Sequence, residues 1–287
     1  MSSQIAVILF DGFAFGMLLF VLSVGLSVTL GLMNFINLAH GAFAMLGGYV
    51  AIATTRDLGL PFLLSLPIAF LAAALVSVAF ERTLFRRLYR AGELNQVLFT
   101  IGLTFVAAAV ATYLFGTGQQ PIQLPEFLRG SIQIGDMRFG VYRLFIAAVA
   151  LAVTALLVFA LERTRFGSQV RAAVDNQRTA QGLGLDVDTI FALTFALGSG
   201  LAGLGGALAV EIVGLDPSFG FHYLVYVLIV VAVGGLGSIG GSFAAAVLLG
   251  VFDVAGKYFV PEIGSFLIYL ILVAILFVRP MGLFGRR

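Results

Sequence analysis

The sequence predicts an all-α polytopic membrane protein, and three observations carry that prediction. Of its 287 residues, 61% are hydrophobic and 10% charged, against about 25% charged in soluble domains. Mean hydropathy is +1.10, and several apolar blocks reach the roughly 20 residues that a helix needs to cross a bilayer core of about 30 Å. Arginines concentrate in two connections and at the C-terminus, as they do in loops retained on the cytoplasmic side of a membrane. The chain has no cysteine and two histidines. Disulfides, thiol catalysis and Cys-ligated metals are thereby excluded, and neither a metal nor a cofactor is expected in the chain itself.

Taken in order, the apolar blocks place spans near 5–31, 36–55, 61–80, 94–115, 143–161, 190–212 and 265–279. The first block lacks the positively charged start and small-residue cleavage site of a signal peptide, so it is read as a retained span. Between the last two blocks, the apolar region 223–255 is cut by GGLGSIGGS at 234–242 into two short arms. They are either two tilted short spans or a re-entrant hairpin, since non-helical backbone at membrane depth requires cover by protein or a water-filled cavity. The expectation is about eight membrane-embedded helices plus a broken or re-entrant Gly-rich helix, forming a single transmembrane domain over 1–287.

Orientation follows from charge. Arg82, Arg86, Arg87, Arg90, Arg163, Arg165, Arg171, Arg178, Arg279, Arg286 and Arg287 fall in the connections 81–93 and 162–189 and at the C-terminus. These belong on the cytoplasmic side, which puts the N-terminus outside and the C-terminus inside. The 116–140 connection, with Pro121 and Pro125 and an alternation of apolar and polar residues, is expected as an external lid-like loop.

The first interruption, MNFINLAHGAFAMLGGY at 33–49, sets two asparagines and a histidine inside apolar sequence. On a helix Asn34, Asn37, Gly41, Ala44 and Gly48 share one face, with His40 beside them. Unpaired amides in hydrocarbon cost several kcal/mol, so that face should meet other helices or a wet cavity. The second interruption, at 234–242, occupies a comparable position in the second half, and paired interruptions point to the solute site of transporters built from repeats. The candidate pathway residues are therefore Asn34, Asn37, His40, Gly41, Gly234, Gly235, Gly237 and Ser238.

The polar stretch 162–189 predicts a short amphipathic helix. Ser168 is its expected cap, Val170, Ala173, Val174, Gln177 and Ala180 share one face, and Arg171, Asp175 and Arg178 are spaced to pair on another. Gly182 and Gly184 end it. Such a helix across the cytoplasmic mouth of a bundle is shaped either to dock into a partner's groove or simply to tether two spans.

Together NFINLAHGAFAMLGGYVA, FGSQVRAAVDNQRTAQGLGLDVD followed by TFALGSGLAGLGGALA, VGGLGSIGGSFAAAVLLG and the terminal RPMGLFGRR resemble the permeases of branched-chain amino-acid ABC importers, the LivH type. The resemblance covers almost the whole chain. It implies a second permease subunit in a heterodimer, two cytoplasmic ABC ATPase subunits that bind ATP and Mg, and an extracytoplasmic solute-binding protein. It also implies that the 162–189 loop couples to the ATPases, through Gly167, Arg171, Ala172, Asp175, Arg178, Ala180 and Gly184. Other ABC importers mark this helix with Glu-Ala-Ala and a downstream Gly. Arg178, Thr179, Ala180 and Gly184 stand at those positions, so the glutamate is absent.

Other chemistries fit less well. GLGSIG at 235–240 matches a dinucleotide-binding spacing, but it lies among membrane spans and not in a soluble βαβ unit. The only lysine, Lys257, precedes Tyr258 and so makes no P-loop; energy must come from a partner or a gradient. Ser238 with His40 lacks the glycine two residues before a nucleophile elbow and any carboxylate to orient the histidine. Asp11, Glu211 and Asp253 fall near the expected external ends, not at the midplane where a coupled carrier needs them. The readings kept open are an amino-acid importer permease, a permease for urea or short amides, and a stand-alone carrier or channel. Nothing points to nucleic acid.

Overall fold

The computed structural model describes residues 2–33, 35–89 and 91–285. Helices α1 (Ser2–Met33), α2 (His40–Arg56) and α3 (Phe62–Phe80) open the chain, and α3 runs through a π-helical turn (Glu81–Phe85) into the short α4 (Arg86–Leu88). Then come α5 (Glu93–Phe115), a two-stranded hairpin of β1 (Ser131–Ile134) and β2 (Met137–Gly140), and α6 (Val141–Arg163). Two short helices, α7 (Arg165–Asp175) and α8 (Gln177–Gly182), precede α9 (Val187–Val213), α10 (Phe219–Gly234), α11 (Ile239–Phe259) and α12 (Gly264–Val278). Among the described residues six helices are long and apolar enough to cross a membrane: α1, α3, α5, α6, α9 and α11. Helices α10 and α12 are shorter apolar helices of 16 and 15 residues.

Packing radiates from α9. Phe195, Ala202, Ala207, Leu208 and Ala209 are all fully buried, and the helix lies against α1, α2 and α3. Small residues permit this. A Cβ on Gly206 would overlap the Ala44 carbonyl, and one on Gly25 would overlap that of Gly198, so the backbones touch as in small-xxx-small membrane packing. Tyr142 of α6 ties in by donating to the Leu208 carbonyl at 2.9 Å.

The bundle has two distinct ends. At one, Leu32 of α1 packs on α7 and the start of α9, and Arg86 pairs with Asp188. At the other, Phe10 meets Phe139 of the hairpin edge-on, with ring centroids 4.9 Å apart, and Arg143 pairs with Asp11. The hairpin turns on Gly135 and Asp136, since Ile134 pairs with Met137 and Gly135 has φ of 61°, as a two-residue turn requires. The alternation in 131–140 is thus a small sheet standing on an otherwise helical molecule.

The two interruptions prove to be different things. Residues 35–37 have no regular structure, 38–39 form a turn and α2 starts only at His40, so the helical face expected from Asn34, Asn37, Gly41, Ala44 and Gly48 does not include Asn37, and Asn34 lies outside the described residues. The GGLGSIGGS segment is neither a re-entrant hairpin nor a mid-span break: α10 and α11 are separate helices joined by a tight turn. That turn sits at the α7 end, where Gly237 meets Gly31. Gly235 and Gly237 have φ of 94° and 76°, a region open to glycine. The C-terminal segment closes over it, with Leu283 N–H donating to the Val233 carbonyl at 2.7 Å and Phe284 N–H to that of Gly234 at 3.2 Å. Carbonyls left free at the end of α10 are satisfied in this way.

Candidate translocation and coupling sites

A non-helical segment inside a helical bundle needs partners for its backbone. For 35–39 they come from one stripe of α5. Ile36 N–H donates to Gln96 Oε1 at 3.2 Å, Leu38 N–H donates to Thr100 Oγ1 at 3.2 Å, and the Leu38 carbonyl accepts from Thr104 Oγ1 at 3.3 Å. Gln96, Thr100 and Thr104 are four residues apart and all buried, so they stand one above another on the helix face. Gln96 Nε2 also donates to the Leu88 carbonyl at 3.2 Å, which joins the break to the end of α4.

At the top of the break, Asn37 Oδ1 accepts from Ala39 N–H at 3.1 Å, a local turn that stops the non-helical run. His40 Nε2 donates to the Leu22 carbonyl of α1 at 2.8 Å. Both residues are 1% exposed, and Asn37 Nδ2 and His40 Nδ1 have no partner among the described residues. Asn34 lies outside the described residues. Gly41, in the first turn of α2, packs so closely on α10 that a Cβ would overlap the Gly220 carbonyl.

That contact reveals the true counterpart of the break. Residues 214–218 separate α9 from α10, with Gly214 at φ of 75° and the Leu215 carbonyl accepting from Gln120 N–H at 2.8 Å. A long helix, a non-helical segment and a shorter helix thus occur in both halves, and the N-termini of the two shorter helices, α2 and α10, meet at Gly41 and Gly220. The Gly234–Ser238 segment is not part of this meeting. Ser238 caps α11, its Oγ accepting from Gly241 N–H at 3.0 Å, and is not paired with His40.

The 162–189 loop holds two helices and not the single one expected. Thr164, rather than Ser168, caps α7 by accepting from Gly167 N–H at 3.4 Å. Ser168 Oγ donates instead to the Arg165 carbonyl at 2.8 Å. Asn176 ends α7 and caps α8, its Oδ1 accepting from Thr179 N–H at 2.9 Å. Asp186 caps α9 through Thr189 N–H at 3.1 Å and Thr189 Oγ1 at 2.6 Å, and these bonds hold its carboxyl below the ordinary carboxylate range. Gly167, Val170, Ala173 and Ala180 are buried; the last three form a cluster with Val187 and Ile190, against which Leu32 packs. Val174 and Gln177, expected on that inner face, are exposed, and Asn176 interrupts the helix between them. Arg171, Ala172, Asp175, Arg178 and Gly184 are exposed, and Arg171 donates to the Leu161 carbonyl and not to Asp175.

Between this double helix and the break lies a polar cavity of about 490 Å³. Arg86, Gln96, Gln177, Gln181 and Asp188 line it, with Phe35 of the break in its wall. Gln96 and the caps of α7 and α8 were the residues that sequence reading passed over. The signal was present in the polar residues four apart along an otherwise apolar α5.

The architecture is that of a multi-pass helical membrane protein. The sequence profile of the family described as branched-chain amino acid transport system / permease component matches residues 8–276, and the chain belongs to that family. It is 29% identical to the high-affinity branched-chain amino acid transport system permease protein BraD of Pseudomonas aeruginosa, over 97% of this chain and 95% of that one. It is 27% identical to LivH of Escherichia coli, over 97% and 94%, and 27% identical to LivM of Escherichia coli, over 93% of this chain and 68% of that one. Among solved structures it resembles PsaBC from Streptococcus pneumoniae in complex with Fab, with a TM-score of 0.50 and 15% identity, over 93% of this chain and 89% of that one.

Proposed function

We propose that this chain is one permease subunit of a binding-protein-dependent ABC importer for branched-chain or similar amino acids, with residues 1–287 acting as one transmembrane domain. The observation that carries the reading is the family match across 8–276, joined to a pair of capped helices packed on the ends of α1 and α9. Relatives named LivH and LivM are separate permease proteins of one transport system, which favours a heterodimer with a second permease. Two ATPase subunits binding ATP and Mg and an extracytoplasmic solute-binding protein complete the assembly.

In this reading the α7 end faces the cytoplasm, because Arg82, Arg86, Arg87, Arg163, Arg165, Arg171, Arg178 and Arg279 lie in its connections and tail. The N-terminus is then outside, the C-terminus inside, and 116–140 is an external loop. Nine helices, α1, α2, α3, α5, α6 and α9 to α12, make the membrane bundle. The exposed faces of α7 and α8, with Arg171, Ala172, Asp175, Arg178 and Gly184, meet an ATPase, while Gly167 and Ala180 seat the pair on the bundle. A push there bears on Leu32, one turn before the break, and on the start of α9.

The break is the element suited to move. Its backbone is held by side chains of α5 and not by a helical ladder, so it can be re-aimed by exchanging a few hydrogen bonds. Asn37, His40 and Gly41 then belong to the solute path, with Gly234, Gly235, Gly237 and Ser238 bordering its cytoplasmic mouth. No residue of the chain performs covalent chemistry.

Purification from the native membrane tests the reading. An ATPase and a second permease should copurify, and Gly184→Trp, a bulky change on the exposed face, should release the ATPase while the two permeases stay together. A chain that purifies alone and moves solute on an ion gradient would contradict it.

A further inference from the structure

At the hairpin end, a second cavity of about 210 Å³ opens among α1, α6, α9, α10 and α11. Four charges line it: Asp11, Arg143, Asp253 and Lys257. They form two opposite-sign pairs, Arg143 with Asp11 and Lys257 Nζ with Asp253 Oδ2 at 2.7 Å. The rest of the wall combines the phenols of Tyr223 and Tyr226 with apolar side chains, among them Phe15, Leu18, Ile146 and Ile212. Lys257 Nζ also sits 5.9 Å from the centroid of the Phe15 ring.

One detail makes this more than a pair of surface bridges. Asp253 is 1% exposed, and its Oδ1 is buried without a hydrogen-bond partner among the described residues, although a buried carboxylate oxygen ordinarily has one. The lysine engages only the other oxygen, and its side chain is 45% exposed. The cavity therefore offers an unfilled acceptor for a cationic or N–H group. It also offers cationic donors with hydrogen-bonding capacity left over, since an ammonium has three N–H groups and a guanidinium five. A cavity of roughly 150 Å³ admits a benzene-sized ligand, so this one has room for a small aliphatic molecule.

We propose that this cavity binds a zwitterionic amino acid with an apolar side chain. The α-ammonium donates to Asp253 Oδ1, the α-carboxylate accepts from Lys257 and Arg143, and the side chain lies against Phe15, Ile146 and Ile212. The proposal rests on the importer reading for its choice of ligand and adds to it a receiving site within this single chain, at the end assigned to the exterior. A neutral amide such as urea can hydrogen-bond to the same groups but brings no charge to either, so charge-assisted bonding favours the zwitterion over it.

Equilibrium binding of radiolabelled leucine to the purified importer complex in nanodiscs, without the solute-binding protein, tests the site. Leucine should bind and be displaced by isoleucine and valine. Isocaproate, which lacks the amine, and isopentylamine, which lacks the carboxylate, should compete at least about tenfold more weakly, as expected for loss of a hydrogen bond to a charged group. Because Asp253→Asn alone leaves Lys257 unpaired, the informative variant is the double change Asp253→Asn with Lys257→Gln. It should still assemble with the ATPase and lose leucine binding by at least the same factor. Failure of leucine to bind, equal competition by the two analogues or by urea, or unchanged affinity in the assembled double variant would each overturn the site. Absence of an ATPase from the preparation would instead overturn the importer reading.

Discussion

Thr100 is the residue on which the broken stretch most depends. Its hydroxyl accepts from Leu38 N–H and donates to the Gln96 carbonyl at 2.7 Å, so Thr100→Val, which keeps the shape, strands a buried N–H. Such a loss costs about 1–3 kcal/mol, and a lowered thermal unfolding midpoint in detergent should show it; an unchanged midpoint would mean that Leu38 finds another acceptor. The cap residues act on a smaller scale. Asn176→Ala removes the acceptor for Thr179 N–H and should cost on the order of 1 kcal/mol locally, seen as faster amide exchange in 177–182. Asp186 adds a pH dependence. Its carboxyl is held below the ordinary range by Thr189, so its contribution is present above the unfolded carboxylate pKa and is lost as pH falls through the lower folded value. Exchange protection at Thr189 should fall over that acid window and should be flat in Asp186→Asn.

At the scale of elements, the contact between α2 and α10 is unforgiving. A side chain at Gly41 would overlap the Gly220 carbonyl, and backbone cannot yield as the end of a flexible side chain can. Gly41→Val should abolish accumulation in the membrane, whereas Gly240→Val, where a Cβ meets nothing within 4 Å, should accumulate normally. Equal yields would show that the helices are not in contact. This is also where sequence reading went astray. Apolar blocks made the long helices legible, because hydrophobic length is what a bilayer demands, and the Asn37 to Gly41 interruption was visible as polar residues in apolar surroundings. Its counterpart was misassigned. Nine residues of GGLGSIGGS draw attention, yet they make an ordinary turn between two helices, while the non-helical segment at 214–218 is marked only by Gly214 and Pro217. Glycine serves turns and close helix packing alike, and only the three-dimensional neighbours of each one tell the roles apart. The single amphipathic helix expected over 168–184 became two for a similar reason: Asn176 is an adequate interior residue until its side chain is seen to cap α8.

The whole molecule combines a rigid and a deformable part. Helix α9 and its small-residue contacts fix α1, α2 and α3, whereas the 35–39 segment is held by three side chains of one neighbouring helix. A signal arriving at α7 and α8 therefore meets Leu32 and the polar cavity of Arg86, Gln96 and Gln181 before it meets the packed core. In the proposed function the arrangement suits a permease subunit that changes the access of one side of the membrane to the other. In the proposed function the charges at the two ends divide the work: arginines mark the cytoplasmic end, and the paired Asp11, Arg143, Asp253 and Lys257 offer opposite charges to a zwitterion at the other.

The most direct test of the central claim is uptake of labelled leucine by proteoliposomes containing the purified complex, with solute-binding protein outside and ATP inside. The account predicts uptake that requires ATP, is insensitive to dissipated ion gradients, and is abolished by Gly184→Trp in the coupling loop of this chain. Uptake that persists without ATP, or that collapses when the gradients are dissipated, would contradict it.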